Sequence, residues 1–140
     1  MKRFFSVIIC ILLLALTITP CVAGEEKDYS HLKGTTLNVY NWGEYISDGS
    51  EGTLDVNKEF EKRYGITINY SNFESNENMY NKLQSGGANY DIIIPSDYMI
   101  SRMAQGGMLE KLNYENIPNF GKYVDEVFKN PDYDPNQEYS

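Results

Sequence analysis

The sequence predicts an α/β fold, a parallel-rich sheet with flanking helices, and three observations carry that prediction. Strand-like and helix-like patterns alternate three times between Leu37 and Gly107, the order from which βαβ units are built. Glycines close each helical pattern, at Gly65, Gly86-Gly87 and Gly106-Gly107, where a chain leaving a helix favours the left-handed conformation. The third strand-like run, Tyr90-Asp91-Ile92-Ile93-Ile94-Pro95, is continuously apolar at its centre, which suits a strand buried on both faces of a parallel sheet.

The chain opens with Met1-Lys2-Arg3 and an apolar run from Phe4 to Ile18, interrupted only by Ser6 and Thr17. That run is shorter than the ~20 residues that span a bilayer. It ends in the small residues Pro20-Cys21-Val22-Ala23-Gly24. Residues 1–23 therefore read as a secretory signal peptide cleaved after Ala23, which puts the working domain in the periplasm or on the extracellular face of the cytoplasmic membrane. Cys21 offers lipidation as a second option, but Pro20 stands where a lipid-attachment motif has a small residue, so soluble release is the favoured reading. The two cysteines, Cys10 and Cys21, both belong to this leader, so no internal disulfide or structural zinc site is expected. Residues 24–36 read as an N-terminal linker, with the single histidine, His31, exposed on it.

The first strand lies in Leu37-Asn38-Val39-Tyr40, and the chain then changes character at Asn41-Trp42-Gly43-Glu44-Tyr45. Asn41 and Gly43 read as turn residues. A strand ending in a turn with two aromatics and a carboxylate points to one wall of a site for an organic amine. A carboxylate pairs with a cation, and aromatic faces attract ammonium groups and cover methylenes. Strand carboxyl ends are where open α/β sheets bind ligands. The same residues also fit a core Trp and Tyr beside a solvated Glu.

Ser47 to Gly52 is a loop by composition. Thr53 is placed to cap a helix whose Val56, Phe60 and Tyr64 share a face, and Gly65 ends it. Ile66 to Tyr70 alternates as a second strand, and Phe73-Glu74-Ser75-Asn76 reads as a turn. Ser75 or Asn76 caps a second helix with Met79 and Leu83 inward, stopped by Gly86-Gly87. After the third strand, Ser96-Asp97 begins a third helix with Ile100, Met103 and Ala104 facing inward. Pro95-Ser96-Asp97-Tyr98 is a second polar, aromatic turn at a strand's carboxyl end; Ser96 and Asp97 are also good helix caps. Beyond Leu112 the pattern decays. A short helix is expected from Phe120 to Phe128, then loop, with the last residues neither capped nor packed.

Losing Lys2 and Arg3 with the leader would take the net charge from −8 to −10, against the basic stripe a nucleic-acid partner needs. Acidity suits a cationic ligand, although it is also ordinary solubility charge.

Four blocks carry a resemblance: Asn38 to Ile46, Phe73-Glu74-Ser75-Asn76-Glu77 to Leu83, Tyr90 to Tyr98, and Pro131 to Ser140. In matching order and spacing they resemble the first part of the spermidine/putrescine-binding proteins, the extracytoplasmic receptors of polyamine ABC importers. The resemblance implies a type II periplasmic-binding-protein fold of two α/β lobes about a hinge, with the ligand cleft between them. It implies ligand-contacting residues at Trp42, Glu44, Tyr45, Ser96 and Tyr98, with Asp97 in the middle of its turn. It further implies a spermidine or putrescine ligand, ABC permease subunits as partners, a monomer, and recognition without chemistry: no enzyme, no cofactor, no metal. Since such receptors run to more than twice this length, residues 37–140 are expected to form an incomplete N-terminal lobe, with the second lobe missing.

Two other classes remain open from sequence. A related solute-binding protein for iron, a thiamine-like cation or a sugar would share fold and address. An extracellular hydrolase would use Glu44 and Asp97 as a carboxylate pair, though no nucleophile elbow, metal motif or phosphate loop accompanies them.

Overall fold

The computed structural model describes residues 28–140. The signal-peptide reading, with Cys10 and Cys21, lies outside the described residues. Three strands, β1 (Thr36–Trp42), β2 (Thr67–Phe73) and β3 (Ile92–Ile93), form one sheet in the order β2-β1-β3. Both pairings are parallel, and the connections are helical: α1 (Val56–Tyr64) between β1 and β2, and α2 (Asn76–Gln84) between β2 and β3. Helix α3 (Asp97–Gln105) follows β3, and the short α4 (Pro118–Tyr123) lies farther on.

Register pairs Thr36 with Thr67 and Trp42 with Phe73, so even-numbered side chains of β1 share a face with odd-numbered ones of β2. That face holds the core: Tyr40 and Phe73 pack with Met79 and Tyr80 of α2 and with Met99 and Met103 of α3. Tyr40 meets Phe73 edge to face at 5.1 Å and stacks on Tyr90 at 4.3 Å. At the opposite end of the strands from Trp42 and Phe73, Asn69 donates to Asn38, whose amide and backbone N–H both donate to Asp91. This polar ladder ties all three strand segments in one register.

Local chemistry explains the helix ends. Asp55, rather than the expected Thr53, caps α1 by accepting from the Lys58 N–H at 3.0 Å; the Thr53 hydroxyl donates to the Ser50 carbonyl instead. Gly65 ends α1 at φ +68°, as its lack of a Cβ allows. The α1 face is shallower than expected, with Val56 exposed and no residue fully buried. Helix α3 buries Met103 as expected, and Met99, not anticipated, even more completely.

Four further expectations are corrected. Asn41 is not a turn residue but part of β1, buried, its amide donating to the Tyr70 hydroxyl at 2.9 Å. The strand at Ile92–Ile93 is not buried on both faces: Ile92 is 44% exposed, because β3 is an edge strand among the described residues, flanked by an open groove of about 860 Å³. The helix expected from Phe120 to Phe128 is two pieces, α4 and a 3-10 turn at Glu126–Phe128, separated where Val124 becomes extended. The final residues are packed after all. The buried Asp134 carboxylate accepts from the N–H groups of Glu138, Tyr139 and Ser140 and from the Ser140 hydroxyl, and the Tyr114 hydroxyl donates to the Ser140 carbonyl.

Within the segment read as a linker, Tyr29 packs edge to face on Tyr64 at 5.9 Å, and the Gly34 N–H donates to the Gly65 carbonyl. The described part of it is therefore docked on the end of α1.

Candidate functional site

The site follows from the sheet order. Tyr40 pairs with Ile93, so β1, ending at Trp42, and β3, ending at Ile93, leave the sheet toward the same end, followed by the turns at Gly43 to Tyr45 and Ser96 to Tyr98. The chain leaving β1 runs through α1 back to β2, whereas the chain leaving β3 enters α3, which joins the core. Neighbouring parallel strands whose connections diverge leave a crevice at their carboxyl ends, the habitual ligand position of open α/β sheets. The two aromatic-acid turns are brought to that one edge.

On the β1 side, Trp42 is partly buried, its ring tilted against Phe73 at 4.8 Å and Tyr45 at 6.2 Å. Trp42 therefore borders both elements: its ring packs against the core residue Phe73 and against Tyr45 of the turn. Tyr45 is 67% exposed and Glu44 is exposed beside it, so both are presented to solvent at the strand end.

On the β3 side, Ser96 occupies the N-cap position of α3 without a side-chain cap bond. The capping explanation for its hydroxyl therefore fails. The Ser96 Oγ instead accepts from the Asn76 amide at 3.0 Å, while the Ser96 N–H donates to Asn76 Oδ1 at 3.2 Å. Tyr98, half exposed, accepts from the same amide at 3.0 Å and donates to Glu77 Oε1 at 2.9 Å. Asp97 is exposed, and its Oδ1 accepts from the Tyr98 N–H at 2.6 Å.

Sequence reasoning placed Asn76 only as one of two helix caps. Ser75 does the capping, accepting from the Asn78 N–H, and the buried Asn76 side chain is free to brace the neighbouring turn. That both Ser75 and Asn76 are cap-type residues in succession was the available signal, since one helix needs only one cap. Two helix N-termini, of α2 and α3, thus meet at this turn, a positive pole that would repel a cation. Glu77 and Asp97 in their first turns offset it. Among the described residues no group of three or more His, Cys, Asp or Glu is placed to hold a metal ion.

The fold is that of one lobe of a periplasmic solute-binding protein. It superposes with a TM-score of 0.67 on the spermidine/putrescine ABC transporter substrate-binding protein PotD of Streptococcus pneumoniae, at 36% identity over 74% of this chain and 30% of that one. With the TpPotD lipoprotein of Treponema pallidum the TM-score is 0.65, at 34% identity over 75% of this chain and 31% of that one. By sequence the chain is a homologue of the spermidine/putrescine-binding periplasmic proteins over the part of them that it spans. It is 38% identical to spermidine/putrescine-binding periplasmic protein 1 of Haemophilus influenzae, over all of this chain and 38% of the relative. It is likewise 38% identical to the corresponding protein of Escherichia coli, over 75% of this chain and 28% of the relative. The chain thus spans about a third of the length of the relatives it matches. No family model matches it. The relatives are named for binding and transport, not for catalysis.

Proposed function

We propose that this chain supplies one wall of the polyamine cleft of an ABC importer's extracytoplasmic substrate-binding protein, with Trp42, Glu44, Tyr45, Ser96, Tyr98 and Asp97 as the ligand-facing residues. The observation that carries this reading is the convergence of the two aromatic-acid turns at the carboxyl ends of the adjacent parallel strands β1 and β3. The names of the relatives supply the ligand class, spermidine and putrescine.

The work of the site is recognition. A polyamine carries ammonium groups separated by short methylene runs. Glu44 pairs with one ammonium, and Asp97 keeps a second carboxylate near the path of the next. Ser96 accepts a hydrogen bond, and the rings of Trp42, Tyr45 and Tyr98 cover methylenes and face ammonium groups. Each cation–π contact is worth about 0.5–2 kcal/mol, whereas an exposed ion pair gives only ~0–1 kcal/mol. One wall alone therefore binds weakly, and a second lobe closing over the ligand by hinge motion supplies the tight complex by excluding water. The loaded receptor, a monomer outside the cytoplasmic membrane, delivers its ligand to the permease subunits.

Calorimetric titration of spermidine and putrescine into the chain, beside a Glu44→Ala variant, tests the reading. Saturable binding that weakens in the variant and with added salt supports it. Binding that is indifferent to Glu44 and to salt sinks it.

A further inference from the structure

The hydrogen bonds behind Tyr98 leave its phenol in one defined state. Glu77 is a carboxylate that only accepts, so the 2.9 Å contact to it consumes the phenol proton. The Asn76 amide orientation is settled independently: its Oδ1 faces the Ser96 N–H, which only donates, so its Nδ2 faces Ser96 Oγ and Tyr98. Asn76 is buried, at 4% exposure, and all three of its side-chain bonds go to this turn. A phenol oxygen has one proton to donate and accepts as well, strongly through its in-plane lone pair and more weakly through the one conjugated with the ring. Glu77 takes the proton and Asn76 fills one acceptor position, which leaves a single lone pair.

We propose that Glu77 is a specificity-determining residue of this site, acting through Tyr98: by holding the phenol proton, it makes the Tyr98 oxygen an acceptor only, selective for a ligand N–H. Asn76 is the positioning residue that holds the phenol in place. The inference rests on the polyamine reading above and deepens it. A protonated amine has only N–H groups to offer and meets a matching lone pair, polarised by the hydrogen bond that the phenol donates to Glu77. A quaternary ammonium, with no N–H, gains the ring faces but not this bond.

The test is a double-mutant cycle of Glu77→Gln and Tyr98→Phe in the full chain, with spermidine and fully N-methylated spermidine as probes. A glutamine keeps the shape but can donate to the phenol, freeing its proton to point toward the ligand. The expected result is about a tenfold weaker spermidine affinity in Glu77→Gln, no further loss when Glu77→Gln is added to Tyr98→Phe, and no change for the permethylated probe. Additive losses, or equal losses for both probes, overturn the inference and leave the polyamine reading standing. A wild-type chain that binds neither spermidine nor putrescine overturns both.

Discussion

Trp42 and Phe73 are register partners at the last position of two parallel strands, and their rings meet at 4.8 Å with 56° between planes. Phe73 is buried in the core and Trp42 borders the site turn. On the reading proposed above, the ligand-facing wall is the rim of the core itself, and its rigidity is that of the packed cluster.

Phe73→Ala is therefore expected to cost about 3–5 kcal/mol and to loosen Trp42 at the same time. Urea unfolding gives the first quantity. The emission of Trp42, the one tryptophan of the chain, gives the second, shifting to longer wavelength as water reaches the ring.

Asn76→Ala removes the donor to Ser96 Oγ and Tyr98 and the acceptor for the Ser96 N–H. Stability should fall by about 1–3 kcal/mol. Amide exchange at Ser96 should accelerate beyond the global effect, whereas an Asn78→Ala substitution on the exposed side of the same helix should leave Ser96 unchanged.

Asp134 should make stability depend on acid. Burial works to raise its carboxyl, and the N–H groups of Glu138, Tyr139 and Ser140, with the Ser140 hydroxyl, outweigh burial and hold it below its ordinary value of 3.8. A carboxyl depressed by folding contributes stability that is present above 3.8 and is lost as the pH falls through the lower folded-state value. Asp134→Asn should cost about 1–3 kcal/mol at neutral pH, and the gap between variant and parent should close in that acid window. Thermal melts across pH would show it.

Gly65→Ala should cost about 1–2 kcal/mol, because an alanine at φ +68° strains its backbone. The added Cβ meets only the flexible Lys33 stem, at 3.1 Å, so no larger penalty is expected in denaturation.

The alternation of strands and helices was legible because apolar period and glycine stops are local signals, and Gly65, Met79 and Met103 do what their spacing predicts. The two candidate turns stand out for a similar reason, acid and aromatic side chains at a strand end, and the topology sets both after the carboxyl ends of adjacent parallel strands. What escaped was set by partners far along the chain. Asn41 has a turn-former's propensity, yet its amide is satisfied by Tyr70 across the sheet. The apolar run at Ile92–Ile94 says nothing about whether a further strand lies beside it, and none does among the described residues. The tail around Asp134 is held by backbone N–H groups, which leave no residue pattern to read. Ser96 looked like a cap because caps are recognised by type; only the neighbouring Asn76 reveals its other use.

Amide chemical-shift mapping during a spermidine titration would decide whether Trp42 to Tyr45 and Ser96 to Tyr98 form one polyamine-facing surface. The expected result is saturable shifts concentrated in those two turns, with Asn76 and Glu77 following. Saturable shifts centred elsewhere, such as along the groove beside Ile92, or no saturable shift at millimolar spermidine, would contradict it.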